Sequence, residues 1–246
     1  MKQPDTIPVI AAVLVAGGSG QRFGRSEVAK QYLPLGQCPI YIWSLRKFLL
    51  HDRISHVVLV VTSSMVDKVA SEVRQQLPAS GEKLSVTAGG DSRQQSVFAG
   101  LEFLAGKRSD IDIVLVHDAA RPFVTTSMID DVIKGTAETG ACTVGLPLAD
   151  TVKKVDSGII IDTVDRRELY TVQTPQGADF NKLMSAHRQA QKDNWDTTDD
   201  AAMMEKLGVK VRIVPGSAWN IKITTPDDLR ICEALVPAIL KNLEPR

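Results

Sequence analysis

Apolar residues come along this chain in short unbroken runs, each closed by a cluster of glycine, serine or acidic residues. Pro8–Ala16 and Val57–Val61 are of strand length and wholly apolar, and Ile111–Val116 is apolar apart from Asp112, as strands covered on both sides of a parallel sheet are. Between them the spacing turns helical. Ile40–Leu50 follows Pro39, and a later segment places Val66, Val69, Val73 and Leu77 on one face, with Ser64 and Asp67 as its expected cap. Leu84–Ala88 alternates as a short strand, and a helix runs through Val97, Leu101 and Leu104. Strands and helices in turn, with short links, predict βαβ crossovers: an α/β fold with a doubly wound, mostly parallel, Rossmann-like sheet.

The second half departs from this rhythm. Cys142–Leu146 reads as another strand, but Asp150–Val155 and Gly158–Thr163 alternate around Asp156-Ser157-Gly158, the pattern of a β-hairpin. An isolated hairpin is marginal in water, so an arm inserted at about 150–164 needs a surface for Val152, Val155, Ile159 and Ile161. Leu169–Gln173 precedes Thr174-Pro175-Gln176, Phe180–Gln191 is helical, and Thr198-Asp199-Asp200 caps a helix stopped by Gly208. Val209–Val214 and the alternating Asn220–Thr224 read as strands. Thr225 as N-cap and Pro226 at the first position open the last helix. Residues 8–243 are expected to form a single domain.

Composition narrows the class. The 246 residues carry 29 basic and 29 acidic side chains, a formal net charge of zero, with no basic block to hold a nucleic acid. Cys38, Cys142 and Cys232 are too far apart for a zinc pattern and odd in number, so buried reduced thiols are expected. The N-terminus lacks a signal-peptide layout and no run is long enough for a bilayer. A cytoplasmic protein without membrane contact is the expectation.

The chemistry gathers where the apolar runs stop. After Val13-Leu14-Val15 the chain reads Ala16-Gly17-Gly18-Ser19-Gly20-Gln21-Arg22-Phe23-Gly24, with Lys30 close behind. Glycines let backbone N–H groups close around an anion, and the two cations complete a polyphosphate cradle. The spacing fits neither the kinase-type P-loop nor the dinucleotide fingerprint, and no acid ends Val57–Val61 to bind a ribose. Gly89-Gly90-Asp91-Ser92-Arg93 and His117-Asp118-Ala119-Ala120-Arg121-Pro122 close two further strands. All three clusters therefore fall at the carboxyl edge of the sheet, where α/β folds bind ligands. Taken singly they have plainer readings: a turn at Gly89-Gly90, Asp91 as a helix cap, Asp118 paired with Arg121, and His117 as an orienting histidine.

The loop A-G-G-x-G-x-R-x-G followed by a lysine resembles the signature of the sugar-phosphate nucleotidylyltransferases. The remaining strings make the likeness closer. Lys30-Gln31, Gly89-Gly90-Asp91-x-Arg93-x-x-Ser96, His117-Asp118-Ala119-Ala120-Arg121-Pro122, Asp150-Thr151-Val152-Lys153, Val164-Asp165-Arg166, Gln173-Thr174-Pro175-Gln176 and Asn220-Ile221-Lys222 resemble the methylerythritol phosphate cytidylyltransferase family from about Val13 to the last helix. The resemblance implies CTP held by Ala16, Gly17, Gly18, Gly20, Gly90, Asp91 and Ser96. It implies Arg22, Lys30 and Lys222 as catalytic cations, and Asp118 beside Mg²⁺ and the acceptor. Arg121, Thr151 and Thr174 would surround the acceptor phosphate, with Arg166 donated by the second subunit of a homodimer. The form without a fused cyclase domain is expected. Ala16-Gly17-Gly18 and Thr224-Thr225-Pro226 are also similar to the ribitol-5-phosphate cytidylyltransferases, which leaves another polyol phosphate as an alternative acceptor, and a non-catalytic nucleotide-binding module as a third reading.

The residue types suit the chemistry on their own terms. A phosphate monoester is largely dianionic near neutral pH, its second pKa being about 6, and attacks phosphorus without a strong general base. Bringing two anions together is the harder task, and fixed cations with a divalent metal perform it.

Overall fold

The computed structural model describes residues 7–18 and 29–241. In chain order its elements begin with β1 (Ile10–Val15), the short ribbon β2 (Pro34–Leu35) and β3 (Cys38–Pro39), α1 (Ile40–Leu49), β4 (Ile54–Val61) and α2 (Val66–Gln76). There follow β5 (Leu84–Ala88), α3 (Arg93–Lys107), β6 (Ile113–Asp118), α4 (Thr126–Thr139) and β7 (Ala141–Pro147). The chain ends with β8 (Val152–Asp156), β9 (Ile159–Val164), β10 (Tyr170–Asp179), α5 (Phe180–Asp193), α6 (Asp200–Lys206), β11 (Val211–Pro215) and α7 (Pro226–Lys241).

The main sheet has the order β11-β7-β10-β6-β1-β4-β5. β10 runs antiparallel to both its neighbours, and every other pairing in the sheet is parallel. Alternation along β1 shows why the sheet sits in the middle. Ile10, Ala12 and Leu14 point into one apolar layer with Tyr41 and Phe48 of α1, Val69 of α2 and Val132 of α4. Ala11 and Val13 point into the other, against Val97 and Leu101 of α3, Leu183 of α5 and Met204 of α6. Each fully buried side chain of this size contributes about 1.5–3 kcal/mol, so a continuous apolar strand is stable only with helices on both faces. α7 closes a third, smaller cluster over Leu35, Ile40, Phe123 and Ile223.

The expected strands and helices are found with shifted ends: β4 starts at Ile54, β6 runs from Ile113 to Asp118, and β11 starts at Val211. Two readings are corrected and one gap is filled. Ser64 does not cap α2, because residues 63–65 form a 3-10 turn and Met65 occupies the N-cap position with no side-chain bond. Asn220–Thr224 is not a strand. It is pinned instead by the buried Asn220 amide, which donates to Gln173 Oε1 at 3.2 Å and Thr174 O at 2.9 Å, and by Ile223 N–H to Ala120 O. Residues 123–141, unassigned from sequence, contain α4, capped by Thr125 Oγ1 and ended by Gly140 in the left-handed region at φ 89°. The arm forms as expected, with β8 and β9 paired, among the described residues, only with each other.

Candidate active site

β1, β4, β5 and β6 stop at one level. Val15 lies opposite Asp118, and Val61 opposite Ala88. A cavity of about 470 Å³ opens directly above. Of the residues that the resemblance assigned to CTP, Ala16, Gly17, Gly18, Gly90, Asp91 and Ser96 line it. Lys30, Asp118 and Lys222 complete the wall. Gly20 and Arg22 lie outside the described residues. Thr151, Arg166, Arg121 and Thr174 are not among the lining residues: the first two are exposed at the base of the arm, and the last two sit behind the wall.

Two local devices shape the nucleotide side. The buried Gln31 amide donates to Ala16 O at 2.6 Å and Gly18 O at 3.1 Å, tying down the carbonyls at the start of the glycine loop. At α3, Ser92 and Gln95 form a reciprocal capping box, and Gln95 Oε1 also accepts from Asp91 N–H at 2.8 Å. The turn before it must be glycine. A Cβ on Gly89 would stand 2.5 Å from Ser96 Oγ, and one on Gly90 would stand 2.6 Å from Gln95 Cβ. Asp91 therefore is not the cap; Ser92 is.

The opposite wall is a buried ion cluster. Asp118 Oδ1 accepts from Arg93 Nε at 2.9 Å and its Oδ2 lies 2.6 Å from Lys222 Nζ. The other side of Arg93 meets Asp200, Nη2 to Oδ2 at 2.8 Å, an ion pair off the ideal hydrogen-bond line. Burial works against the charge on both carboxylates, but the cations outweigh it: Arg93 and Lys222 hold Asp118 well below the usual carboxylate range, and Arg93 does the same for Asp200. Burial opposes the Arg93 charge too, and Asp200 and Asp118 together raise its pKa above the ordinary value. The pairing of Asp118 with Arg121 weighed from sequence is not formed; the Arg121 guanidinium donates to Asn220 O at 2.8 Å.

β10 supports this cluster from behind. The Thr174 hydroxyl oxygen accepts from Asp118 N–H at 3.1 Å and lies 3.0 Å from His117 Nδ1. Arg121 O can only accept, so His117 Nε2 carries the proton and donates to it at 3.2 Å, and in the neutral ring Nδ1 accepts from the Thr174 hydroxyl. Burial lowers the His117 pKa to about 4, against a smaller opposing pull from Asp118; the ring is a neutral spacer, as expected. Two residues on, Gln176 Oε1 accepts from the N–H groups of Asp200 and Ala201 at 2.9 and 3.1 Å, seating the start of α6.

Arg93, Asp200, Gln31 and Gln176 are the site residues that sequence reasoning did not assign. Arg93 and Gln31 stood inside quoted motifs, and Asp200 read as a helix cap. The signal available was a charge or amide amid small residues; the Arg93 partners, Asp118 and Asp200, lie 25 and 107 positions away in the chain and leave no local trace.

Among the described residues no three His, Cys, Asp or Glu side chains gather to hold a metal. Mg²⁺ commonly takes one or two carboxylates and completes its shell with water and substrate phosphates. Among the described residues, Asp91 and Asp118 are the carboxylates lining the cavity; Asp118, shared with Arg93 and Lys222, suits a metal that takes most of its shell from water and phosphate and does not suit an all-protein cage.

A glycine-lined, cation-walled cavity at the carboxyl edge of a mostly parallel sheet defines an α/β nucleotidyltransferase. Comparison with known proteins specifies which one. The chain belongs to the 2-C-methyl-D-erythritol 4-phosphate cytidylyltransferase family, whose family model matches residues 10–238. It is 40% identical over 229 residues to the Clostridium botulinum (strain Eklund 17B / Type B) enzyme of that name, covering 93% of this chain and 99% of that one. The Bacillus mycoides relative is 37% identical over 224 residues, 91% and 96% of the two chains. Among solved structures, the 2-C-methyl-D-erythritol 4-phosphate cytidylyltransferase from Thermus thermophilus superposes with a TM-score of 0.74 at 30% identity, over 92% of this chain and 98% of that one. The 4-diphosphocytidyl-2C-methyl-D-erythritol synthase from Anaerococcus prevotii gives 0.81 at 25% identity, over 94% and 96%.

Proposed function

We propose that this enzyme transfers CMP from CTP to 2-C-methyl-D-erythritol 4-phosphate and releases pyrophosphate. A phosphate oxygen of the acceptor forms the new bond to the α-phosphorus of CTP, the bond to the β-phosphate oxygen breaks, and pyrophosphate carries away the electron pair. The observation that carries this reading is one cavity joining the glycine wall of Ala16–Gly18 and Gly90 to the cations Lys30 and Lys222 and the carboxylate Asp118.

Each group has a task. Backbone groups of Ala16, Gly17, Gly18 and Gly90, with Asp91 and Ser96, receive the nucleoside. Lys30, Lys222 and Arg22 neutralise the triphosphate and the charge that develops around phosphorus. Fixed charges of this kind stabilise a transition state without reorganising. Asp118 would be the protein group that holds Mg²⁺, which when bound would draw charge from the phosphate oxygens. On the acceptor side Thr174 and Arg121 act from behind the cavity wall, and Thr151 from the base of the arm. Arg166 comes from a second subunit, the arm making a homodimer; its guanidinium donates to Ala149 O at the base of its own arm and does not line its own cavity. Residues 8–243 act as one nucleotidylyltransferase unit with the arm inserted at about 150–164, working in the cytoplasm without nucleic acid or membrane. Among the described residues no helix is long and apolar enough to cross a membrane.

Pyrophosphate release measured for each NTP against methylerythritol, ribitol and glycerol phosphates tests the reading. Turnover with CTP and methylerythritol 4-phosphate above every other pair is expected. Preference for ribitol 5-phosphate reassigns the acceptor, and no turnover with any pair leaves a nucleotide-binding module.

A further inference from the structure

Arg93 opens α3 and reaches between carboxylates supplied by two other elements: Asp118 at the end of β6 and Asp200 at the start of α6. The two carboxylates differ in kind. Asp118 lines the cavity. Asp200 does not; its side chain is 4% exposed, its Oδ1 lies 3.7 Å from the buried His187 Nε2, and its backbone N–H is held by Gln176. Asp200 thus faces nothing that a substrate reaches, yet it carries a negative charge that burial opposes. Buried ion pairs of this sort seldom add stability over a well-packed apolar replacement; fixing one arrangement is their best-attested use.

We propose that Asp200 is a positioning residue for cytidylyl transfer: by gripping the far side of the Arg93 guanidinium it fixes Asp118 with Oδ2 turned toward Lys222. An arginine tethered at one edge retains freedom along its flexible stem, whereas one planar fork anchored at two sites has a single orientation. With the Asp200 charge removed, Arg93 has only Asp118 to follow, and the Asp118–Lys222 pair loses its aim. The glycine wall is held by Gln31 and the Ser92–Gln95 box through bonds that do not use the Arg93 side chain, so nucleoside binding changes less than the Asp118–Lys222 pair. The inference rests on the cytidylyl-transfer reading of the cavity.

Asp200→Asn keeps the shape and removes the charge; Asp200→Glu keeps the charge. Displacement of a catalytic group by about 1 Å costs on the order of a hundredfold in rate. Asp200→Asn is accordingly expected to lower kcat by about that factor while leaving KM for CTP near wild type, and Asp200→Glu to recover most of the loss. If Asp200 works through Arg93, adding Asp200→Asn to Arg93→Met causes no further drop in kcat, since residues acting as one unit are not additive. Near-normal kcat in Asp200→Asn, an equal loss in Asp200→Glu, a parallel rise in KM for CTP, or a further drop in the double variant would each overturn the assignment. Should Asp200→Asn not fold, the charge-balanced double variant is compared with Arg93→Met alone under the same criterion.

A readout independent of turnover separates this inference from the proposed activity. The guanidinium ¹⁵N–¹H signals of Arg93, assigned by their loss in Arg93→Met, are expected to be resolved through hindered rotation in wild type and Asp200→Glu, and to collapse in Asp200→Asn. Absence of CTP turnover with these signals behaving as expected refutes the activity alone. Resolved signals in Asp200→Asn refute the positioning role alone.

Discussion

Thr174 has one hydroxyl and serves two neighbours with it, the N–H of Asp118 and Nδ1 of His117. The arrangement holds only while the imidazole is neutral, and that sets a pH dependence. The pKa of His117 falls from the usual 6.5 to about 4 in the folded protein, so between those values the unfolded chain binds a proton that the folded chain refuses. Stability therefore falls on acidification through that window, by up to about 1.4 kcal/mol per pH unit. His56, buried beside Ser85 and the cations Lys107 and Arg108, is lowered as well and adds to the slope. Asp118 and Asp200 are held below 3.8, so their stabilisation is intact across the window and is lost only at lower pH. Urea unfolding at pH 7, 5.5 and 4.5 should show the decline, and His117→Gln should flatten it; an unchanged slope would mean that His117 ionises within the fold. The orienting role of His117 was legible in its place at a strand end. Its partner was not, because Thr174 reaches Asp118 only once β10 folds against β6.

At the scale of elements, the turn into α3 shows how a short motif encodes geometry. Gly90→Ala drives a Cβ to 2.6 Å from Gln95 Cβ, whereas a Cβ on Gly18 meets nothing within 4 Å among the described residues. Gly90→Ala therefore displaces the side chain that completes the capping box, a loss of about 1 kcal/mol, and raises KM for CTP because Asp91 N–H loses its tether. Gly18→Ala should change stability by no more than about 0.5 kcal/mol. Thermal melts of the two variants with CTP titrations check the contrast, and equal behaviour would remove the steric argument. Elements with strong periodicity, the buried strands and the arm, were readable from the chain. Asn220–Thr224 was not: its alternation copies a strand, yet its inward residue Asn220 spends its amide on Gln173 and Thr174. α4 went unassigned although Met128, Ile129, Val132 and Ile133 all face the core.

For the whole molecule the arm is the exposed apolar surface to account for. Val155, Ile159, Ile160 and Ile161 are 54%, 69%, 59% and 55% exposed, so the hairpin does not cover its apolar residues with its own body. A symmetric partner offering the same arm would do so. If Arg166 then serves the partner's cavity, mixing inactive Arg166→Ala and Lys30→Ala subunits restores about a quarter of wild-type activity, since half the dimers are mixed and half their sites intact. Activity at the level of the separate variants, with exchange confirmed by mass, refutes sharing. The arm leads through Arg166 into β10, and this strand has a further consequence. A parallel strand contributes little more than its last residue to the rim, where loops of any length can be exchanged. β10 crosses that rim in the opposite direction, and places Thr174 and Gln176 in mid-strand between β6 and β7. Within this architecture the rim loops are the evolvable part, free to be rebuilt around a different alcohol phosphate. The contacts that β10 makes to Asp118 and Asp200 all hang on one strand's register, so a slip of that strand breaks them together.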